Sequence, residues 1–124
     1  AVSSVIYNKE FSKILLIRQY QRNLNILVAG YVNKKETLEH ALKREIKEEV
    51  NLNVVSFKYN QSQYFEKSNS LICNFISKVE DENFKLNSEV DFAKWYTLKE
   101  AKEAVYKDSL AETFLILSLS KIPF

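Results

Sequence analysis

The stretch "GYVNKKETLEHALKREIKEEVNL", from Gly30 to Leu52, decides the fold of this chain. Apolar residues recur at helical spacing between Leu38 and Val50, which predicts an amphipathic helix with Thr37 as its N-cap. Asn51 suits the left-handed conformation that ends many helices. Gly30 is the only glycine of the chain. Its position is informative, because glycine alone takes positive φ at no steric cost.

Three glutamates, Glu45, Glu48 and Glu49, crowd the end of the predicted helix. Their i, i+3, i+4 spacing predicts one shared face, where like charges repel and the helix dipole disfavours anions. Two interpretations stay open at this point. The glutamates form an ordinary solvated face with Lys43 and Lys47 interleaved, or they bind a divalent cation such as Mg²⁺, which prefers oxygen ligands.

The rest of the chain predicts strands on both sides of this helix and helices at the end. The predicted strands are "SSVIY" (Ser3–Tyr7), "ILLIRQY" (Ile14–Tyr20), "ILVAG" (Ile26–Gly30), "VVSFKYNQSQYF", "LICNFISKV" and "DFAKWYTL", and the late helices are "LKEAKEAV" and "SLAETFLILSLSK". The first two strands form a predicted hairpin. This order predicts an α/β sandwich with a mixed sheet covered by helices, without fixing its topology.

Length and composition restrict the class of protein. We expect one domain from 124 residues, and 46% hydrophobic residues suffice for a core. A net charge of +2 does not by itself indicate a nucleic-acid or membrane partner. Cys73 is the single cysteine, which excludes an intrachain disulfide and a cysteine-based zinc site from this chain alone. No apolar run predicts a transmembrane helix, so we expect a cytoplasmic protein.

The stretch resembles the signature of the Nudix hydrolases: Gly, five residues, Glu, seven residues, then Arg-Glu-hydrophobic-x-Glu-Glu-hydrophobic-Gly-hydrophobic. Gly30, Glu36, Arg44 and the three glutamates all stand at the required spacing. Asn51 replaces the second glycine, and Lys35 stands where many members have another. The resemblance implies a Nudix-type α/β/α sandwich with a central mixed β-sheet, formed by one domain over residues 1–124 with no zinc ribbon.

The resemblance also implies a metal site. In such enzymes the signature glutamates bind Mg²⁺ or Mn²⁺, which assigns Glu45, Glu48 and Glu49 as ligands and catalytic residues, with Gly30 offering its carbonyl. Glu36 and Arg44 are expected to brace the loop against the helix. Members often use a further acid after the signature, for which Glu89 is the choice. Its competitors are Glu80, Asp81, Glu82 and Asp91.

Within the family, the chain is similar to the NADH pyrophosphatases. Their "AG-aromatic" opening implies that Tyr31 stacks on a base, although an aromatic that packs on the sheet is the plain alternative. Their marker SQPWPFPxS corresponds to "SQYFEKSNS" (Ser62–Ser70), where the ends match and the centre does not. Gln63, Tyr64 and Phe65 are therefore predicted to line the same pocket.

The implied activity is metal-dependent hydrolysis of a pyrophosphate bond, converting NADH or NAD⁺ to NMN(H) and AMP. A signature glutamate, Glu48 or Glu49, would orient or deprotonate the attacking water. ADP-ribose, dinucleoside polyphosphates, capped RNA and oxidised nucleotides are alternative substrates. A regulator that binds nucleotides without catalysis is the alternative of another class. The implied partners are a nucleotide substrate and a second copy in a homodimer, with no DNA and no membrane.

Overall fold

A computed structural model describes all residues, 1–124, and shows one mixed sheet between two helical layers. The elements are β1 Val2–Tyr7, β2 Lys13–Gln19, β3 Val28–Gly30, α1 Leu38–Val50, β4 Val54–Phe65, a 3₁₀ turn Glu66–Ser68, β5 Ser70–Val79, β6 Val90–Thr97, α2 Leu98–Ala104 and α3 Leu110–Leu119. The predicted α/β sandwich is therefore confirmed. None of the three α-helices is long and apolar enough to cross a membrane.

The sheet has six strands in the order β4-β5-β1-β2-β6, with β3 paired to β1. The expected antiparallel hairpin of β1 and β2 is present. β1 and β5 run parallel, whereas every other pairing is antiparallel, so the sheet is mixed as predicted. Because β1 pairs with β3 through its first half and with β2 through its second, the end of β3 reaches the middle of the sheet.

Successive side chains of the central strands pack alternately in two separate hydrophobic cores, one on each face of the sheet. Val2 and Ile6 of β1 face α1, whereas Val5 and Tyr7 face α2 and α3. The same alternation continues along β2, since successive side chains of a strand point to opposite faces. Both faces of the sheet are therefore buried, which explains why the first two strands read as nearly continuous apolar runs.

Helix α1 begins and ends where the sequence predicts. The Thr37 hydroxyl accepts a hydrogen bond from the His40 amide at 3.1 Å. Asn51 adopts the left-handed conformation, with φ 56° and ψ 39°. Lys35, at another position where relatives of the signature have glycine, also has a positive φ of 66°. Gly30 does not use the positive φ that is open to glycine, and its importance is steric instead.

Candidate active site

Glu49 is the one glutamate of α1 that lies inside the protein, at 3% exposure. Its Oε1 accepts a hydrogen bond from Gln19 Nε2 at 2.5 Å, whereas its Oε2 is buried with no hydrogen-bond partner. Burial first, and then the charges of Glu45 and Glu89, raise the pKa of the Glu49 carboxyl to about 8. A buried oxygen without a partner is unfavourable unless a ligand completes its bonding.

Gln19 is a site residue that the sequence reasoning missed. It stands at the end of β2, where the register with β6 shifts between Arg18 and Gln19. Leu15 and Ile17, four and two residues earlier, pack in the α1-side core. The available signal was the alternation along β2: Gln19 is a polar residue at the next position that faces inward after the apolar residues.

Glu45 lies directly against Gly30. A Cβ atom placed on Gly30 would overlap the carboxyl carbon and both carboxyl oxygens of Glu45. The glycine therefore leaves the space that the carboxylate fills, next to the backbone at the end of β3. This contact brings together two residues that stand fifteen positions apart in the sequence.

Arg44 ties the preceding loop to the helix. It donates to both oxygens of Glu36, from Nε at 2.7 Å and from Nη2 at 2.8 Å, and its Nη2 also donates to the Tyr31 carbonyl at 3.0 Å. The Glu36 side chain is only 6% exposed. Hydrogen bonds from Arg44 lower the pKa of Glu36 to about 2, with further contributions from the Asn33 amide and His40. The pair is bidentate, a geometry that fixes orientation as well as charge.

Glu48 differs from the prediction that all three glutamates share one face. Its side chain is 56% exposed and lies 3.3 Å from Arg44 Nη1, which also donates to Glu45 at 2.8 Å. The reason is helical geometry, since neighbouring positions on a helix are about 100° apart and Glu48 and Glu49 straddle the edge of the buried face. Arg44 thus donates hydrogen bonds to Glu45 and Glu48 from the side of the helix that faces solvent.

Glu89 is brought to the site by the loop between β5 and β6. The Asn87 amide donates to the Glu49 carbonyl at 3.3 Å and the Lys85 amide donates to the Val50 carbonyl at 3.0 Å, so this loop crosses the end of α1. Glu89 is exposed and close enough to raise the pKa of Glu49.

Three of the competing acids have partners elsewhere. Glu82 accepts from Asn8 and Lys13, Asp91 accepts from the Gln21 amide, and Asp81 caps its own turn by accepting from the Asn83 amide. Glu80 is exposed and is not among the charges that raise the pKa of Glu49.

The predicted ligands come close without forming one tight cluster, since no three acidic, histidine or cysteine side chains are grouped as they would be around one ion. Two observations nevertheless fit a divalent cation. The Glu49 Oε2 is buried without a partner, and Gly30 makes room for the Glu45 carboxylate beside the β3 backbone. The donors are hard oxygens, which suit Mg²⁺ or Mn²⁺.

A cleft of about 1030 Å³ lies on the face of the sheet that α3 covers, and the candidate carboxylates are not among the residues that line it. Gln19, which bonds Glu49, also lines the cleft and so connects it to the carboxylates. Its walls are mainly apolar and come from β3, the β4–β5 turn and the start of α3, including Leu27, Ala29, Phe65, Ile72, Leu110 and Phe114.

Of the predicted substrate-binding residues, only Phe65 lines this cleft. Tyr31 is 67% exposed and Tyr64 is 50% exposed, with the Tyr64 hydroxyl bonded to Asn69. Gln63 is also exposed. Tyr64 points away from Phe65, because successive residues of a strand face opposite sides, and Tyr31 lies in the loop on the Arg44 side. Gln63 shares the strand face of Phe65 but is not among the residues that line the cleft.

Comparison with protein families gives a match to the NUDIX domain over residues 1–114. The NAD-capped RNA hydrolase NudC of Vibrio vulnificus is 32% identical over 87 residues, covering 67% of this chain and 33% of that protein. The mitochondrial NAD(P)H pyrophosphatase NUDT13 of Mus musculus is 32% identical over 107 residues, covering 81% of this chain and 30% of that protein. The chain thus spans about a third of the length of these relatives. Their names confirm the similarity to NADH pyrophosphatases.

Among solved structures, the chain is similar to the NUDIX domain of Shewanella oneidensis NrtR complexed with ADP ribose. The TM-score is 0.80 at 15% identity, and the superposition covers 98% of this chain and 86% of the other. At this identity the likeness concerns the fold. It confirms the sandwich architecture that the sequence predicted.

Proposed function

The chain belongs to the NUDIX family, and from this premise we propose that it hydrolyses the pyrophosphate bond of NADH or NAD⁺ to give NMN(H) and AMP. The observation that carries the proposal is the buried Glu49, whose Oε2 has no partner and whose carboxyl is close enough to Glu45 and Glu89 for their charges to raise its pKa. A buried carboxylate with a raised pKa among further acids is a common arrangement for acid–base chemistry.

Glu45, Glu48, Glu49 and Glu89, with the Gly30 carbonyl, are the groups that would hold Mg²⁺ or Mn²⁺. When bound, the ions neutralise the pyrophosphate and lower the pKa of a water molecule. Arg44 and Glu36 keep the Gly30–Glu36 loop against α1, so that the Gly30 backbone and Glu45 stay together.

We assign the water-orienting role to Glu49 in preference to Glu48. Glu49 is fixed by Gln19 and shielded from solvent, whereas Glu48 is more than half exposed. In the reaction, the water oxygen bonds to one phosphorus and the bond from that phosphorus to the bridging oxygen breaks. The water proton passes toward the Glu49 carboxylate, and each product keeps one phosphate.

The apolar cleft supports binding of a planar base. Phe65 offers an aromatic face, and Leu27, Ile72 and Phe114 supply the apolar surroundings. Stacking on Tyr31 remains a prediction for the other base, since its exposed ring is free to take one. The homodimer, the cytoplasmic location and the single domain over 1–124 also remain predictions.

The test is turnover over a panel of NADH, ADP-ribose, diadenosine tetraphosphate and capped RNA with Mg²⁺, with the products identified by mass. We expect NMNH and AMP from NADH. Glu48→Gln should lower turnover strongly while the melting temperature stays near that of the wild type, and Glu39→Gln, an exposed acid of the same helix, is the matched control.

The panel also decides between the alternatives. Preferred turnover of ADP-ribose, a dinucleoside polyphosphate or capped RNA would replace the NADH assignment with that substrate. No turnover of any compound, together with a thermal shift produced by one of them, would contradict an enzyme. That result would instead support a regulator that binds nucleotides.

A further inference from the structure

Ser3 is a buried serine of β1 that lines the apolar cleft on the α3 face of the sheet. Its side chain points to the same face as those of Val5 and Tyr7, since alternate residues of a strand share a face. In the sheet it stands opposite Asn74 of β5 and Ala29 of β3. A hydroxyl in a mainly apolar wall needs partners, because a buried polar group without a hydrogen bond is unfavourable.

A chain of hydrogen bonds joins Ser3 to the end of α3. Lys121 Nζ, just after the helix, donates to the Asn60 side-chain oxygen at 2.7 Å and to the Asn60 backbone carbonyl at 2.6 Å. Asn60 Nδ2 donates to Asn74 Oδ1 at 2.9 Å, and Asn74 Nδ2 donates to Ser3 Oγ at 3.0 Å. Both asparagines are buried, so these bonds are shielded from solvent.

The direction of this chain is set by two groups that have no choice of role. A lysine ammonium only donates, so the atom of Asn60 that faces Lys121 must be the oxygen. The Phe114 carbonyl only accepts, so the atom of Asn60 that lies 2.9 Å from it must be the amide nitrogen. Asn60 therefore has one orientation, and it forces Asn74 to turn its own oxygen toward Asn60 and its nitrogen toward Ser3.

Ser3 is left with a hydroxyl hydrogen that is not used inside the protein. Its oxygen accepts from Asn74, and its hydroxyl donates to no protein group. A ligand in the cleft that Ser3 lines can supply the acceptor for this hydrogen. Hydrogen bonds in a chain polarise one another, so the positive charge of Lys121 at the far end strengthens the hydroxyl as a donor.

We propose that Ser3 determines which bases the cleft accepts, by donating a hydrogen bond to an acceptor on the edge of the base. The inference rests on the proposed function and deepens it, since a planar base in this cleft is part of that function. Phe65 and Phe114 also line the cleft, but their apolar contacts suit any flat ring. A base that turns a donor toward Ser3 would leave two hydrogens facing each other. Adenine offers ring nitrogens as the acceptor, and nicotinamide offers its carboxamide oxygen.

The first test measures binding of AMP and NMN, the two halves of the dinucleotide, by isothermal titration calorimetry without metal. The proteins are wild type, Ser3→Ala, Ser3→Thr and Ser4→Ala. Ser4 is the matched control, because it is the neighbouring buried serine on the other face of β1, where it donates to Ser77 at 2.8 Å.

We expect Ser3→Ala to weaken binding of at least one half about five- to tenfold, the range for one hydrogen bond. Ser3→Thr should keep most of the affinity, because it keeps the hydroxyl, and Ser4→Ala should change the affinity less than about twofold. The half whose binding weakens is the one that occupies the cleft.

The second test removes the acceptor from the ligand. The deaza forms of AMP each replace one ring nitrogen by C–H, and thionicotinamide mononucleotide replaces the carboxamide oxygen of NMN by sulfur. Wild type should bind the analogue that lacks the bonded acceptor about five- to tenfold more weakly than the parent compound, whereas Ser3→Ala should bind the two equally. A serine that served only folding would give equal losses in both proteins.

The outcomes separate the inference from the proposed function. No binding of either half by wild type, equal weakening by Ser3→Ala and Ser4→Ala, or equal analogue losses in wild type and Ser3→Ala would each overturn the role of Ser3. Should Ser3→Ala unfold at the assay temperature, Ser3→Cys takes its place, because a thiol is only a weak donor. Absence of hydrolysis with any nucleotide would overturn the proposed function, while the titrations would still decide whether Ser3 donates to the base.

Discussion

The two sides of helix α1 carry opposite charges in opposite surroundings. On the inner side, Glu49 is buried, one of its oxygens has no partner, and the pKa of its carboxyl is raised to about 8. On the outer side, Lys43 and Lys47 stand in solvent with no carboxylate partner. Arg44 lies between the two sides and donates to Glu45 and Glu48.

The difference shows that burial, more than residue type, makes a charged side chain chemically unusual. Water screens the lysines, so each interacts weakly with any single partner. Burial removes water from Glu49, so the cost of desolvating its charge must be offset by a hydrogen-bond donor, by protonation or by a bound cation. The same helix therefore carries a buried acid on one side and solvated lysines on the other.

The largest effect should follow from Glu49→Gln, which keeps the shape of the inner side and removes its charge. We expect kcat to fall about 1,000-fold, within the range for loss of an acid–base group. The measurement is Mg²⁺-dependent NADH hydrolysis, with Glu39→Gln on the exposed first turn as the control. Loss of less than about tenfold would show that the buried carboxylate is not the reactive one.

The next prediction concerns how the stability of the metal-free protein depends on pH. The folded pKa of Glu49, about 8, lies above the ordinary value of 4.5. Its contribution to stability is therefore full below about pH 4.5, falls as pH rises, and is lost above about pH 8. We expect the metal-free wild type to lose a few kcal/mol over this window in thermal or urea unfolding, and Glu49→Gln to lose much less.

Addition of Mg²⁺ sharpens this test. At about pH 8 the cation should raise the melting temperature of the wild type, since it binds the charged native site, and should raise that of Glu49→Gln less. Parallel pH profiles of the two proteins without metal would contradict the burial argument.

Gly30→Ala should disturb the inner side with little change in stability. The three atoms nearest to the new Cβ all belong to the far end of the Glu45 side chain, which can move, so we expect a melting temperature within a few degrees of the wild type. The displaced carboxylate should lower kcat/KM about 100-fold. Adding Glu45→Asp shortens the side chain and should restore part of the activity, and the absence of rescue would argue against the steric explanation.

The smallest effect should come from Gln19→Leu. This change removes the one donor to Glu49 from β2 and should lower kcat/KM about tenfold, in line with roughly 1.5 kcal/mol for a hydrogen bond to a charged group. Gln61→Leu, on an exposed position of β4, is the matched control. An unchanged kcat/KM would mean that Glu49 holds its position without Gln19.

Much of the fold could be predicted from sequence, because local patterns carry it. The helix from Leu38 to Val50, its Thr37 and Asn51 caps, and the hairpin of β1 and β2 all follow from periodicity and cap chemistry. The order of the strands could not be predicted, since the parallel pairing of β1 with β5 joins segments about seventy residues apart.

The sequence by itself determined the carboxylate set and its spacing, because residues three and four apart on a helix are neighbours wherever that helix lies. It could not determine which of these glutamates is buried. Only the tertiary structure placed Gln19 beside Glu49, made room for Glu45 at Gly30, left Tyr31 outside the cleft and gathered lysines beyond Arg44. Burial and proximity depend on how distant segments pack, and no local pattern records that packing.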